Sequence, residues 1–305
     1  MTRVAAVDVG TNTILLLVAE RRGDQLARVF ESCRFVRLGE GLDATGRLAD
    51  AAVARALDAL AACRAEIDAH GADRVAAIGT QALREAANAS ALLVPAADRL
   101  GAPIEVISGE REAELAFAAA CRALPGLAGG PLVVADVGGG STEIIAGDAG
   151  GVRARHSVPI GSVRLAERHL RSDPPAPDEV RALIADIDAA FAPIDVPRGA
   201  PIVGVAGTAT TLAAVELALR TYEPDRVQGQ RLGLPTIERQ LARYLEVTVA
   251  VRRTLPGLEP QRADVIPAGA AIFARLLRRA GADELIVNDR GIRWGLAWEL
   301  GGCCA

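Results

Sequence analysis

The sequence of 305 residues contains no lysine; its 34 basic residues are all arginine. A phosphate loop of the form G-x-x-x-x-G-K-[ST] is therefore excluded, and any phosphate must be held by arginine, backbone N–H groups or a metal ion. Aromatic residues are scarce, at 3%, and the net charge is −4, with a pI near 5.6. Neither a base-stacking platform nor a basic surface for nucleic acid or anionic membrane is expected. Histidine occurs only at 70, 156 and 169 and cysteine only at 33, 63, 121, 303 and 304, neither in metal-ligand spacing. The cysteines read as buried or incidental thiols of a reducing compartment. With no signal peptide and no apolar run of membrane-spanning length, the chain reads as soluble and cytoplasmic.

What is present is aliphatic. Half the residues are hydrophobic, mostly Ala, Val, Leu and Ile, which suits an α/β enzyme with a large interior, and the length fits two domains. "RVAAVDVGTNTILLLVAE" (3–20) predicts strand, short polar loop, strand, and 25–33 predicts a third strand. Residues 48–71 have helical periodicity ending on a glycine, and the apolar strands 73–80 and 102–109 are each followed by a helix. After "PGLAGG" (125–130), a plausible linker, the pattern restarts with strand, loop, strand, turn and strand over 131–158. Helices near 162–170, 177–192, 208–220, 235–247 and 260–281 come next, with strands at 201–207 and 284–289 and a last helix at 291–300. Two domains, 1–125 and 126–305, are expected.

The restart carries a repeated motif. "AAVDVGTNT" at 5–13 and "VVADVGGGST" at 133–142 share one design, and their aspartates, Asp8 and Asp136, stand a domain length apart in the chain. Such spacing points to duplication. The second loop is not a dinucleotide fingerprint, because G-x-G-x-x-G would need glycine where Glu143 stands, and the run after it is strand-like rather than helical. A hairpin remains, but three glycines followed by Ser-Thr exceed what a turn requires. Gly138, Gly139 and Gly140 let successive amides converge on an anion, with Ser141 and Thr142 as hydroxyl donors. Asp136 can orient a hydrated Mg²⁺, with Glu143 as a second carboxylate. In the first copy Thr11, Asn12 and Thr13 offer similar donors and Asp8 the carboxylate. A third polar loop, "VGVAGTATTLAA" (203–214), opens into a helix where Gly207 permits close approach and Thr208 suits an N-cap.

With these pieces assembled, the sequence resembles the exopolyphosphatase and pppGpp phosphohydrolase family. The resemblance rests on "AAVDVGTNT", "IGTQALREAANA", "IEVISGEREAELAF", "VVADVGGGSTEI", "GVAGTATTLAA", "LPGLEPQRADVIPAGAAIF" and "VNDRGIRWGLAWEL", which succeed one another in family order from residue 4 to about 300. It implies two RNase H-like domains of the actin-like ATPase and sugar-kinase superfold, an active site in the cleft between them, and the short form without an added C-terminal helical domain. It further implies Mg²⁺-assisted release of terminal phosphate from polyphosphate or pppGpp, and it is compatible with a homodimer. The family's general base falls on Glu112, its phosphate-binding arginine on Arg84, its metal-associated acids on Asp8, Asp136 and Glu143, and its phosphate loops on 11–13 and 138–142. Two departures stand out: Glu114 replaces an arginine common two residues after the base, and T-N-T replaces S-N-S or S-N-T. An ATP-dependent kinase on the same superfold and a non-catalytic polyphosphate or pppGpp sensor are the alternative readings.

Overall fold

The computed structural model describes residues 2–127 and 129–302, so Cys303 and Cys304 lie outside the described residues. The chain divides into two compact units, residues 1–115 with 292–305, and residues 116–291.

The first unit contains β1 (Arg3–Val9), β2 (Thr13–Arg22), β3 (Gln25–Phe35), α1 (Leu42–Thr45), α2 (Asp50–Ala69), β4 (Arg74–Gly79), α3 (Gln81–Glu85), α4 (Ser90–Leu100), β5 (Ile104–Val106) and the start of α5 (Gly109–Ala123). Its sheet has the order β3-β2-β1-β4-β5. β1 pairs antiparallel with β2 and parallel with β4, and β4 pairs parallel with β5. β1 is central and covered on both faces, which explains its unbroken apolar run up to Asp8.

The second unit contains β6 (Leu132–Val137), β7 (Thr142–Asp148), β8 (Gly151–Val158), α6 (Ser162–His169), α7 (Pro177–Phe191), β9 (Ile202–Val205), α8 (Ala206–Glu216), α9 (Pro224–Val227), β10 (Arg231–Gly233), α10 (Leu234–Glu246), α11 (Val249–Arg252), a 3₁₀ turn at Pro260–Arg262, α12 (Ile266–Ala280) and β11 (Glu284–Val287). The sheet order is β10-β11-β9-β6-β7-β8. Apart from the short added strand β10, it repeats the first sheet: a β6-β7-β8 meander, then β9 and β11 parallel to β6. The expected α/β class and the duplication are both present. α12 is buried along almost its whole length, which accounts for its small, apolar "IPAGAAIFA". β8 is an edge strand and carries Arg153 and Arg155 exposed, the charge that discourages edge pairing.

The observed division differs from a boundary at 125/126 in two ways. It falls inside α5 rather than in the glycine-rich stretch after it, and α13 (Ile292–Leu300), the last element of the chain, belongs to the first unit. Composition marked the glycine-rich stretch, but the domain limit is set by packing. α13 lies against β1, β2 and β4 and buries Trp294 and Trp298.

Among the described residues no helix is long and apolar enough to cross a membrane. Cys63 and Cys121 are free thiols, and burial pushes the Cys63 thiol up to about 11, leaving it inert.

Candidate active site

In each sheet three parallel strands end side by side, and their C-terminal ends are where an α/β fold gathers ligand-binding loops. In the first unit the ends of β1, β4 and β5 place together the loop 10–12, Thr80 with α3, and the segment leading into α5. In the second unit the ends of β6, β9 and β11 bring together the loop 138–141, the start of α8 and residues 288–291.

The two hairpin loops share one backbone construction. Gly10 N–H donates to Thr13 O at 2.9 Å, and Gly138 N–H donates to Ser141 O at 3.0 Å. A Cβ on either glycine would stand 3.2 Å from that same carbonyl oxygen, so the tight turn favours glycine in both copies. In the second loop Gly138 O accepts from Ser162 N at 2.9 Å, and Gly139 O accepts from Val163 N at 2.8 Å and Arg164 N at 3.0 Å. In a trans peptide the carbonyl and the next amide point in opposite directions. The amides of Gly139 and Gly140 are thereby turned away from α6, an arrangement in which successive N–H groups can converge on an anion. In the first loop Thr11 O accepts from Gly39 N at 2.8 Å, which turns the Asn12 amide outward in the same manner. The side-chain Nδ2 of Asn12 is buried and meets no acceptor, a cost of about 1–3 kcal/mol that a simple turn would not carry.

Not every predicted donor faces a ligand. Thr142 is fully buried and its hydroxyl donates to Ile160 O at 2.7 Å, so it ties the loop to the end of β8. Thr208 is not the N-cap. α8 begins at Ala206 with Val205 as cap, and the Thr208 hydroxyl donates to Val137 O at 3.4 Å, joining α8 to β6. Ser141 is buried beside the glycines, while Thr11 and Asn12 are buried and Thr13 half-buried in the other copy.

The carboxylates fall into two groups. Asp136 and Glu143 are directly opposed across β6 and β7, on one face and both buried, and Glu143 accepts from Ser157 Oγ at 2.8 Å. Their Cβ atoms are therefore about 5 Å apart. At the corresponding place in the first unit Asp8 is opposed by Leu15. Among the described residues no three His, Cys, Asp or Glu side chains gather into a cage. Two adjacent hard carboxylates, with other positions left to phosphate and water, are a donor set that fits Mg²⁺ better than a softer metal.

Glu112 stands in the first turn of α5 and is 7% exposed. Arg84, from α3, donates through Nη1 to Glu112 Oε2 at 2.8 Å and to Ile107 O at 2.9 Å. Burial pushes the Glu112 carboxyl above the ordinary glutamate range, and Arg84 restrains that rise. A carboxylate with raised proton affinity, aimed by a guanidinium, can accept a proton from water. Glu114 is half exposed and pairs with Arg111 on its own helix at 3.6 Å.

The chain matches the Ppx/GppA phosphatase family over residues 17–300. The chain belongs to that family. It is 41% identical over 320 residues to Exopolyphosphatase 2 of Mycobacterium tuberculosis, covering 99% of both chains. It is 28% identical to the guanosine-5'-triphosphate,3'-diphosphate pyrophosphatase of Aeromonas hydrophila, covering 98% of this chain but 59% of the pyrophosphatase. The crystal structure of the Aquifex aeolicus Ppx/GppA member superposes with a TM-score of 0.83 at 33% identity, over 98% of this chain and 97% of that one.

One Ppx/GppA-block residue escaped the sequence reading. The Arg262 guanidinium lies over Gly207 at the start of α8; a Cβ there would stand 2.2 Å from its Nη1. Gly257, at φ +83, lets its loop touch the Ala214 carbonyl, where a Cβ would stand 2.1 Å away, and Gly269 makes room for Thr208. "LPGLEPQRADVIPAG" is thus the segment that carries an arginine to the first turn of α8. Its one signal was an arginine set among glycines and prolines, 55 residues from its partner.

Proposed function

We propose that this protein is a hydrolase releasing terminal phosphate from inorganic polyphosphate or pppGpp, with Glu112 as general base. The observation that carries the reading is the Arg84–Glu112 pair, a buried carboxylate of raised proton affinity held at 2.8 Å by a guanidinium. Glu112 accepts a proton from water, the water oxygen bonds to the terminal phosphorus, and the bond from that phosphorus to the bridging oxygen breaks, leaving the electron pair on the shortened chain. The outward amides of Asn12, Gly139 and Gly140 hold phosphate oxygens, as the loops that cradle phosphate do elsewhere. Arg84 and Arg262 supply fixed positive charge in a chain that has no lysine.

Asp136 and Glu143 are the residues of the second unit that would hold Mg²⁺, and Asp8 is the metal-associated acid that the resemblance implies in the first. When bound, the ion neutralises charge on the phosphate oxygens. The 41% identity to an exopolyphosphatase across the whole of both chains supports polyphosphate as substrate, and the similarity to a pppGpp pyrophosphatase supports the guanosine polyphosphate. The kinase and sensor alternatives gain no specific observation.

Glu112→Gln tests the base. Phosphate release from polyphosphate and from pppGpp, measured side by side with Mg²⁺, is expected to fall at least about 10³-fold with the thermal melt unchanged, within the range of general-base catalysis. Release within tenfold of the parent enzyme would remove Glu112 from the reaction.

A further inference from the structure

Within the first unit α13 lies on the turn of α5 that carries Glu112. Two contacts one turn apart set the register. Arg111 forms an ion pair with Glu299, and a Cβ built on Gly295 would stand 2.5 Å from the Leu115 carbonyl oxygen, 3.0 Å from its carbonyl carbon and 3.1 Å from its Cα. Arg111 and Leu115 are one turn apart on α5, as Gly295 and Glu299 are on α13. The helices therefore meet antiparallel along a single seam, with Glu112 on the same turn of α5.

The two contacts differ in weight. The Arg111–Glu299 side chains are 40% and 49% exposed, and such surface pairs contribute little. The Gly295 contact is backbone against backbone, where neither side can turn aside. α13 is itself fixed to the sheet, because Glu31 Oε1 on β3 accepts from Trp294 Nε1 at 3.0 Å and from Arg293 Nη2 at 3.2 Å. A chain of rigid contacts thus runs from β3 through α13 to the catalytic turn.

We propose that Gly295 is a positioning residue for the general base: by admitting the α5 backbone at Leu115, it sets where Glu112 stands against Arg84. This rests on the reading of Glu112 as the base. A methyl group at 295 reaches ordinary contact only if one helix gives way by about 1 Å, a displacement that costs on the order of 100-fold in rate at a catalytic group. Substrate grip, supplied by other residues, stays in place.

The test compares the parent enzyme, Gly295→Ala, Glu112→Gln and the double variant, reading kcat, KM, the pH profile and calorimetric binding of polyphosphate. Gly295→Ala is expected to lower kcat about 100-fold with KM and binding within threefold. Its acid limb should move to higher pH, since a Glu112 drawn away from Arg84 loses the charge that restrains its proton affinity. In the Glu112→Gln background the same substitution should cost less than threefold. A Gly295→Ala kcat within threefold of the parent overturns the inference, as does an equal loss in both backgrounds. An active Glu112→Gln enzyme sinks the base assignment instead, and with it any positioning of that base by Gly295. Should Gly295→Ala melt below assay temperature, Glu31→Gln loosens α13 without adding an atom; a kcat loss of about tenfold at constant KM is then expected, and no loss counts against the proposal.

Discussion

The two hairpin loops agree in backbone and disagree in chemistry. Gly10 and Gly138 close the same turn with nearly the same hydrogen bond, and in each copy a segment beyond the third strand turns loop amides outward. The residues opposite the shared aspartates differ: Leu15 faces Asp8, whereas Glu143 faces Asp136. The arginines differ too. In the first unit Arg84 pairs with Glu112, and in the second Arg262 lies over Gly207. Both units keep loop amides turned outward, and the side chains around them differ. One unit holds the Arg84–Glu112 pair, and the other holds the opposed carboxylates Asp136 and Glu143.

The comparison breaks most directly at Glu143. Glu143→Gln keeps an oxygen for Ser157 but leaves one carboxylate, the state of the first unit. If the pair holds Mg²⁺, the metal concentration for half-maximal phosphate release should rise about 10–100-fold, with activity recovering at high metal. A metal titration that superposes on the parent curve would separate Glu143 from the ion.

A second contrast lies in how each loop is buttressed. A Cβ on Gly161 would stand 2.5 Å from the Gly139 carbonyl and 2.6 Å from Gly140 N, all backbone, while a Cβ on Gly39 would meet the Thr11 methyl at 2.2 Å. Backbone cannot yield without moving the loop, whereas a side chain can rotate. Gly161→Ala is expected to raise KM about tenfold or more, and Gly39→Ala less than threefold. Equal effects would mean that the glycine loop has no special need of its amide positions.

How much of this was legible in the chain depended on distance along it. Strand, loop and strand were readable because apolar runs ended in Asp-Val-Gly, and the repeat at Asp136 was visible because short motifs keep their spacing. The hidden features are pairings between distant segments. Arg262 meets Gly207 and Gly295 meets Leu115 through contacts that no local pattern encodes; Gly207 alone told only of a close approach, without its partner. Hydroxyl residues were misleading for the opposite reason. Thr142 and Thr208 stood where a ligand donor would be useful, but a buried hydroxyl takes the nearest carbonyl, here Ile160 O and Val137 O. The domain limit was missed because α13 returns to the first unit after the whole of the second has been made.

The smallest contrast is at the junctions where β4 enters α3 and β9 enters α8. Gly79 ends β4 without a positive φ and needs glycine for space, since its Cβ would meet Leu83 Cδ1 at 2.5 Å. Ala206 begins α8 at φ 65, in the left-handed region where glycine is at ease and alanine is not. The left-handed alanine costs roughly 1–2 kcal/mol, and glycine would return part of that gain through the greater freedom of its unfolded chain, about 0.4–1 kcal/mol. Ala206→Gly should therefore stabilise the protein by about 0.5–1 kcal/mol, a rise of roughly 1–4 °C in melting temperature. Strain of this kind persists where the surroundings over-determine it, and here it adjoins Gly207 under Arg262. If the conformation serves to hold the start of α8 for phosphate, the stabilised variant will melt higher and bind polyphosphate more weakly. A higher melt with unchanged binding would make Ala206 a local compromise in the chain rather than part of the site.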